Sequence, residues 1–255
     1  MSRRAVIFDL DDTLIVEQSF AMASLRTAIA VFPGVDPVAD EAAALEAIRS
    51  VWREGADYTL CLALGLASWE GLWSTFDGND ESMAGLHEWA PTYRTQAWEA
   101  VATRFGASDP ALAEEAAMRF EAAQMAGHPI IDGMGDVLDS VRARYPVGLL
   151  TNGSSDLQRL KLDQAGLTDA FDAVAVSGEA GVGKPDPAVF TLVLEALGAG
   201  PEGSVMVGDS WERDVEGALA TGMTAVWIAD GRPAPAEDPR VTVVDSVREL
   251  DALLD

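Results

Sequence analysis

Asp9 and Asp11 stand two residues apart just after the short apolar run Ala5-Val6-Ile7-Phe8, with Asp12 and Thr13 close behind. Three further polar groups follow apolar runs in the same way. Thr151-Asn152-Gly153 comes after Val147–Leu150, and Asp209-Ser210 after Val205–Gly208, with Asp214 one turn on. Lys184 lies in Gly183-Lys184-Pro185-Asp186-Pro187, beyond the run Ala173–Val176. These residue types suit phosphoryl transfer. A carboxylate such as Asp9 can attack phosphorus and form an acyl phosphate once the repulsion between the two anions is screened. Mg²⁺ takes oxygen ligands and keeps several waters, so two carboxylates and a backbone carbonyl would hold it. Asp9 and Asp209 are the expected carboxylate ligands, with Asp214 orienting from nearby. In an extended segment Asp11 shares a face with Asp9. It is expected to protonate the leaving alkoxide and then to activate water, a transfer worth about 10²–10⁴ in rate. Thr151, the amides of Asn152 and Gly153, and Lys184 are expected to hold the phosphoryl oxygens.

Each group also has a plainer reading. Asp11, Asp12, Thr13 or Asp209-Ser210 could cap a following helix, Thr151-Asn152-Gly153 could be a turn, and Lys184 a solvated charge. Independent caps need not all fall on one edge of one sheet, and this common placement favours a site. Lysine usage points the same way. The chain has fifteen arginines and two lysines, Lys161 and Lys184, and a compact ammonium suits an oxyanion contact better than a planar fork.

The elements that must position these groups follow from the pattern. Ala5–Leu10 reads as a buried parallel strand. From Pro129 onward helices and strands alternate: helix Met134–Arg144, strand Val147–Leu150, helix Asp156–Ala165, strand Ala173–Val176, helix Pro187–Leu197. Strand Val205–Val207, helix Glu212–Thr221, strand Thr224–Ile228, strand Val241–Val244 and helix Val247–Leu254 complete the series. Repeated βα units predict an α/β fold, a doubly wound parallel sheet with ligands at the carboxyl ends of its strands. Between the first strand and the rest lies an Ala-, Leu- and Glu-rich block with helical spacing over Asp40–Arg53, Thr92–Phe105 and Pro110–Met125, interrupted by turns expected at Gly71, Gly78 and Gly85. This block is an insertion. The predicted division is a core of residues 1–16 and 128–255 and an all-α domain of 17–127.

A hydrophobic content of 49% is ordinary for a globular protein, whereas a formal charge of −25 is not. It argues against nucleic acid and anionic membrane as partners, and it means that a few local cations must offset the field of the whole molecule at an anionic substrate. The single cysteine, Cys61, lies in the apolar run Leu60–Leu64 and reads as a buried thiol. After Ser2-Arg3-Arg4 the apolar run ends in acids too soon for a signal peptide, and no run is long enough to span a bilayer. A cytoplasmic home and a monomer or homodimer are expected. In the inserted block Trp52, Trp69, Trp73, Trp89 and Trp98 read as core rather than as a ligand platform. Arg53, His87 and Arg94 are possible polar contacts there, with no catalytic role assigned.

The four motifs resemble those of the haloacid dehalogenase superfamily. Phe8-Asp9-Leu10-Asp11-Asp12-Thr13-Leu14 is similar to its first motif, Leu150-Thr151-Asn152-Gly153 to its second, Gly183–Pro187 to its third, and Val207-Gly208-Asp209-Ser210 running to Asp214 to its fourth. The resemblance covers the first fifteen residues and roughly Pro129 to Ile228. It implies a Rossmann-like core, a Mg²⁺ ion, a helical cap inserted after the first motif, Asp9 as nucleophile, and Asp11 as acid/base that also gives its backbone carbonyl to the metal. Within the superfamily Asp11 points away from halide removal, and the absence of lysine from the cap points away from imine-forming phosphonate hydrolysis. Asp12 in the first motif, with Gly178-Glu179 before the third, resembles the N-acylneuraminate-9-phosphatase and pyrimidine-nucleotidase branch. The expectation is a Mg²⁺-dependent phosphatase that forms an aspartyl phosphate and acts on a small phosphorylated metabolite, such as a sugar phosphate or nucleoside monophosphate. A sugar phosphomutase is the alternative within the superfamily. A phospho-acceptor signalling domain is the alternative outside it, disfavoured because the nucleophile-like Asp9 is on the first strand.

Overall fold

A computed structural model describes residues 4–55, 57–78 and 80–250. Its sheet has six strands, β1 (Val6–Phe8), β2 (Val147–Thr151), β3 (Ala173–Val176), β4 (Val205–Gly208), β5 (Thr224–Ile228) and β6 (Val241–Val244). All pairs are parallel, in the order β3-β2-β1-β4-β5-β6. The chain therefore winds outward from β1 in both directions, the doubly wound arrangement that the alternating pattern predicts, and its switch point lies at β1 and β4.

Strands β1 and β2 are buried along their whole length because both faces are covered, whereas the edge strand β6 exposes Thr242 and Val243. Val6 and Phe8 join Leu149, Val207 and Val226 in one buried cluster, whereas Ile7 joins Leu150, Met206 and Trp227 in another on the opposite face. That division follows the two-residue period of the strand. Gly148, opposite Ile7, has no side chain because helix packing leaves no room for one. A Cβ there would stand 3.0 Å from Val193 and Leu197.

Ten helices accompany the sheet among the described residues: α1 (Gln18–Ile29), α2 (Glu41–Arg53), α3 (Tyr58–Leu64), α4 (Ala84–Arg104), α5 (Pro110–Gln124), α6 (Met134–Arg142), α7 (Ser155–Gln164), α8 (Ser177–Ala180), α9 (Pro187–Ala196) and α10 (Glu216–Thr221). Asp109 and Asp186 each cap the next helix through a backbone N–H, and each is followed by a proline at the first helical position. Helices α1 to α5 surround their own apolar cluster, built on Leu25, Ile48, Trp52, Leu86, Tyr93, Trp98 and Phe120. Trp52, Trp73 and Trp98 are buried in it, as expected of core aromatics.

Three local expectations need correction. Gly85 does not interrupt the helical block; it lies in the first turn of α4, where a Cβ would approach Asp57 Oδ2 to 2.7 Å. The single helix expected over 212–221 begins instead as a π turn, Trp211–Val215, before α10. At the end of the chain Val247–Glu249 forms a short 3₁₀ turn with a capping box from Ser246 and Glu249, and the remainder of the expected helix lies outside the described residues. Ser2 and Arg3 also lie outside them. No helix among the described residues is long and apolar enough to cross a membrane.

Candidate active site

The chain leaves β1 at Phe8, and the next residue is held by the adjacent strand: the Asp9 N–H donates to Val207 O at 2.9 Å. Thr13 Oγ1 donates to Asp9 Oδ2 at 3.2 Å and accepts from the Asp209 N–H at 3.1 Å, tying the ends of β1 and β4 together. Asp12 turns the other way. With φ of 56° it occupies the left-handed region, and its Oδ1 accepts the N–H groups of Glu17 and Gln18 at 3.0 and 3.1 Å. Asp12 thus serves the start of α1, and here the capping reading is correct.

Lys184, wholly buried, brings Nζ to 2.5 Å from Asp9 Oδ1 and 2.7 Å from Asp214 Oδ1. Its backbone is fixed by Asn152, whose Oδ1 accepts the Lys184 N–H at 2.8 Å and whose Nδ2 donates to Lys184 O at 2.9 Å. The second motif therefore positions the third. Thr151 is buried at the end of β2 and accepts from Gln158 Nε2 at 2.6 Å. Gly153 is placed differently from the expectation of an amide open to phosphate. Its N–H donates to Ser177 Oγ at 2.9 Å, because the loop after β2 is stitched to the end of β3.

Ligand oxygens of Asp9, Asp209 and Asp214 all lie within 4.8 Å of one another. Asp214 is engaged on both oxygens, by Lys184 and by the Ser210 N–H at 2.9 Å, in keeping with an orienting position. The donor set is carboxylate oxygen alone, which suits a hard divalent cation such as Mg²⁺ and not a thiophilic metal. Electrostatics agree. Burial, with the charges of Asp214, Asp209 and Asp11 added, outweighs the pull of Lys184 and pushes the Asp9 carboxyl up to about 8. Burial and Asp214 raise Asp209 to about 6. The acids are crowded beyond what one ammonium neutralises.

The second lysine was passed over in the sequence. Lys161, on α7, is wholly buried, with Nζ at 3.1 and 3.2 Å from the two oxygens of Asp11, 3.2 Å from Glu70 Oε1 and 3.3 Å from Glu17 Oε1. Gln158, one turn earlier on the same helix, donates to Asp11 Oδ2 at 3.0 Å. Burial works against ionisation of Glu17, yet Lys161 and His128 outweigh it and bring its carboxyl down to about 2. For Glu70 burial prevails over Lys161, and its carboxyl rises to about 7. Burial also raises Asp11. One signal in the sequence marks Lys161: it stands one turn beyond Leu157, on the face of α7 that is buried with Gln158 and Leu162, where a lysine is uncommon.

These residues open on a cavity of about 240 Å³ lined by Asp9, Asp11, Glu17, Trp69, Glu70 and Asn152, among others. The segment carrying Trp69 and Glu70 is anchored from behind. Tyr93 Oη donates to Ser68 O at 2.7 Å, and Gly71 lies so close to the rings of Trp52 and Tyr93 that a Cβ would stand 2.4 Å from the former. Trp69 Nε1 donates to Glu17 Oε1 at 3.3 Å, so this tryptophan faces the site and not only the core. The other residues of the helical block singled out in the sequence lie elsewhere in contacts of their own. Arg53 pairs with Glu46, Arg94 donates to Ser74 O, Trp89 packs on Trp52, and His87 pairs with Asp77 at 3.1 Å. Cys61 is buried, and burial raises its thiol to about 12.

Comparison with known proteins gives concordant matches. The family model described as haloacid dehalogenase-like hydrolase matches residues 3–222. A phosphoserine phosphatase of Thermus thermophilus is 35% identical over 249 residues, covering 97% of each chain. The human N-acylneuraminate-9-phosphatase is 36% identical over 166 residues, which is 63% of this chain and 67% of that protein. Among solved structures, a HAD phosphatase from Thermococcus onnurineus matches with a TM-score of 0.60 at 25% identity, over 98% of this chain and 97% of that one.

Proposed function

We propose that this chain, which belongs to the haloacid dehalogenase-like hydrolase family, uses Asp9 as the nucleophile of its phosphatase reaction. The protein is a phosphatase acting on phosphate monoesters. In the proposed course an Asp9 oxygen forms a bond to phosphorus as the bond from phosphorus to the leaving oxygen breaks, and Asp11 gives that oxygen its proton. The Asp11 carboxylate then takes a proton from water, whose oxygen attacks the phosphorus and releases Asp9 and inorganic phosphate. Lys184 and Thr151, with the Asn152 amide, would hold the phosphoryl oxygens. Gly153 would contribute only if its bond to Ser177 were exchanged. Asp9, Asp209 and the Asp11 carbonyl would hold a Mg²⁺, with Asp214 steadying Lys184 and the loop after β4. Such an ion supplies positive charge against the phosphoryl oxygens.

One observation carries this reading: the nucleophile-like Asp9 is in contact with Lys184 and shares a 4.8 Å neighbourhood with Asp209 and Asp214, at the strand ends where such sheets bind ligands. Residues 17–127 would act as the cap, since Trp69 and Glu70 close one wall of the cavity. A cavity of about 240 Å³ favours a small substrate, with phosphoserine and sugar phosphates ahead of a nucleoside monophosphate. The lone buried Cys61 suits a cytoplasmic protein.

The test is phosphate release over a panel containing phosphoserine, sugar phosphates and nucleoside monophosphates, with Mg²⁺ and after chelation, for wild type and Asp9→Asn. Turnover that needs Mg²⁺ and is lost in Asp9→Asn is the expected result. Unimpaired turnover by Asp9→Asn would overturn the assignment of the nucleophile. Conversion of a sugar phosphate to its isomer without phosphate release would replace hydrolysis with a mutase reaction.

A further inference from the structure

We infer that Lys161 is a positioning residue for Asp11, and that Glu70 of the helical block steadies it in that role; this rests on the reading of Asp11 as acid/base. An ammonium has three N–H donors, and the partners of Lys161 come from three parts of the chain: Asp11 after β1, Glu17 at the entry to α1, and Glu70 from the segment before α4. Every donor is directed at a carboxylate, and the side chain is out of contact with water.

The same helix supplies a second hold. Gln158, three residues before Lys161, donates to Asp11 Oδ2 at 3.0 Å, so two groups on adjacent turns of α7 fix the plane of one carboxylate. With both holds in place the Asp11 side chain has a defined orientation at the wall of the cavity. An acid/base that must give up a proton in one half-reaction and accept one in the next gains from such an arrangement, since a misplacement of about 1 Å can cost about 10²-fold in rate.

Glu70 does not reach Lys161 by chance of a mobile loop. Its Oε2 accepts the Ala67 N–H at 2.9 Å, Tyr93 holds the adjoining Ser68 carbonyl, and Oε1 is left for the lysine. A continuous line of contacts therefore runs from the aromatic core of the helical block to Asp11. A purely structural role would be poorly served by this choice of residues, because a buried ammonium among acids adds less stability than apolar packing of the same volume.

The inference is tested through the leaving group. An alkyl phosphate expels a basic alkoxide and needs the acid; p-nitrophenyl phosphate expels a weakly basic phenolate and does not. The parameter kcat/KM reports steps up to expulsion of the leaving group and excludes the later attack of water. Both substrates are measured on the same sample of Mg²⁺-saturated protein, so that their ratio is independent of the fraction folded. Asp11→Asn is the control. Lys161→Met is expected to lower kcat/KM for the alkyl phosphate by about 10²-fold while p-nitrophenyl phosphate falls by less than about tenfold. The double variant Lys161→Met/Glu70→Gln leaves fewer unpaired charges in the core and is expected to show the same discrimination. Equal losses on both substrates in both Lys161 variants, with discrimination retained by Asp11→Asn, would reduce Lys161 to a structural ion pair. Absence of discrimination in Asp11→Asn itself would remove the acid role of Asp11, and this inference with it.

Discussion

Gly208 and Asp214 meet so closely that a Cβ built on Gly208 would stand 2.2 Å from Asp214 Oδ2. That oxygen accepts the Ser210 N–H, and its twin accepts from Lys184. A hydrogen atom at the end of β4 is therefore what lets the orienting carboxylate reach the site. Gly208→Ala should push Asp214 away, lower stability by about 1–3 kcal/mol through overpacking, and reduce kcat/KM by at least about tenfold by loosening Lys184. Thermal unfolding and steady-state kinetics of the one variant check both effects.

Lys184, itself buried, bridges Asp9 and Asp214 at 2.5 and 2.7 Å. Lys184→Met should cost about 10² in kcat or more, the usual scale for removing one oxyanion donor. Lys184→Arg should not restore it, because a planar guanidinium cannot replace a compact ammonium between two acids. Chelation of divalent metal should abolish phosphate release in the wild type, and added Mg²⁺ should restore it.

Glu17 and Glu70 pull stability in opposite directions with pH. Glu17 is held at about 2 against an ordinary 4.5, so its contribution is complete above 4.5 and is lost as pH falls toward 2. The loss is on the order of 3 kcal/mol. Glu70 is raised to about 7, so the folded state holds the extra proton, and stability declines as pH rises from 4.5 through 7. Glu70→Gln should make that decline shallower, the shares of Asp9 and Asp209 remaining, and leave the acid limb in place, as read from urea midpoints across the pH range.

Trp69 faces the cavity and donates to Glu17, whereas the side chain of Asp9 is bonded to Thr13 and Lys184. Trp69→Ala should therefore change which phosphate esters are preferred. Relative kcat/KM values over the substrate panel are expected to shift by about tenfold, with the Mg²⁺ requirement unchanged.

Cys61 is buried, and burial pushes its thiol up to about 12. It should resist an aromatic disulfide reagent in the native protein and react promptly in denaturant, since the thiolate is the reactive form. Rapid native labelling would show that the helical block opens readily.

The strands were legible because each is a short apolar run ended by polar residues, and burial on both faces imposes that pattern on any parallel sheet. Placing Asp9, Thr151, Lys184 and Asp209 near one another needed only the rule that such sheets present their strand ends together. Gly85 misled because a glycine within the first turn of a helix looks the same in sequence as one required by a turn. Gly153 misled because the direction of an N–H depends on the backbone angles of the loop, which residue types only loosely constrain.

The sequence by itself determined the order of the elements, the insertion between β1 and β2, and the set of groups at the strand ends, all of which are properties of local pattern. Only the tertiary structure decided that both lysines of the chain are buried cations, Lys184 against Asp9 and Lys161 against Asp11. Of the partners of Lys161, Glu70 and Asp11 lie 91 and 150 residues away along the chain. An ion pair is set by distance and by exclusion of water, and neither is a property of neighbouring residues. For that reason the residues that hold the acid in place became visible only when the helical block, the first strand and α7 were brought together.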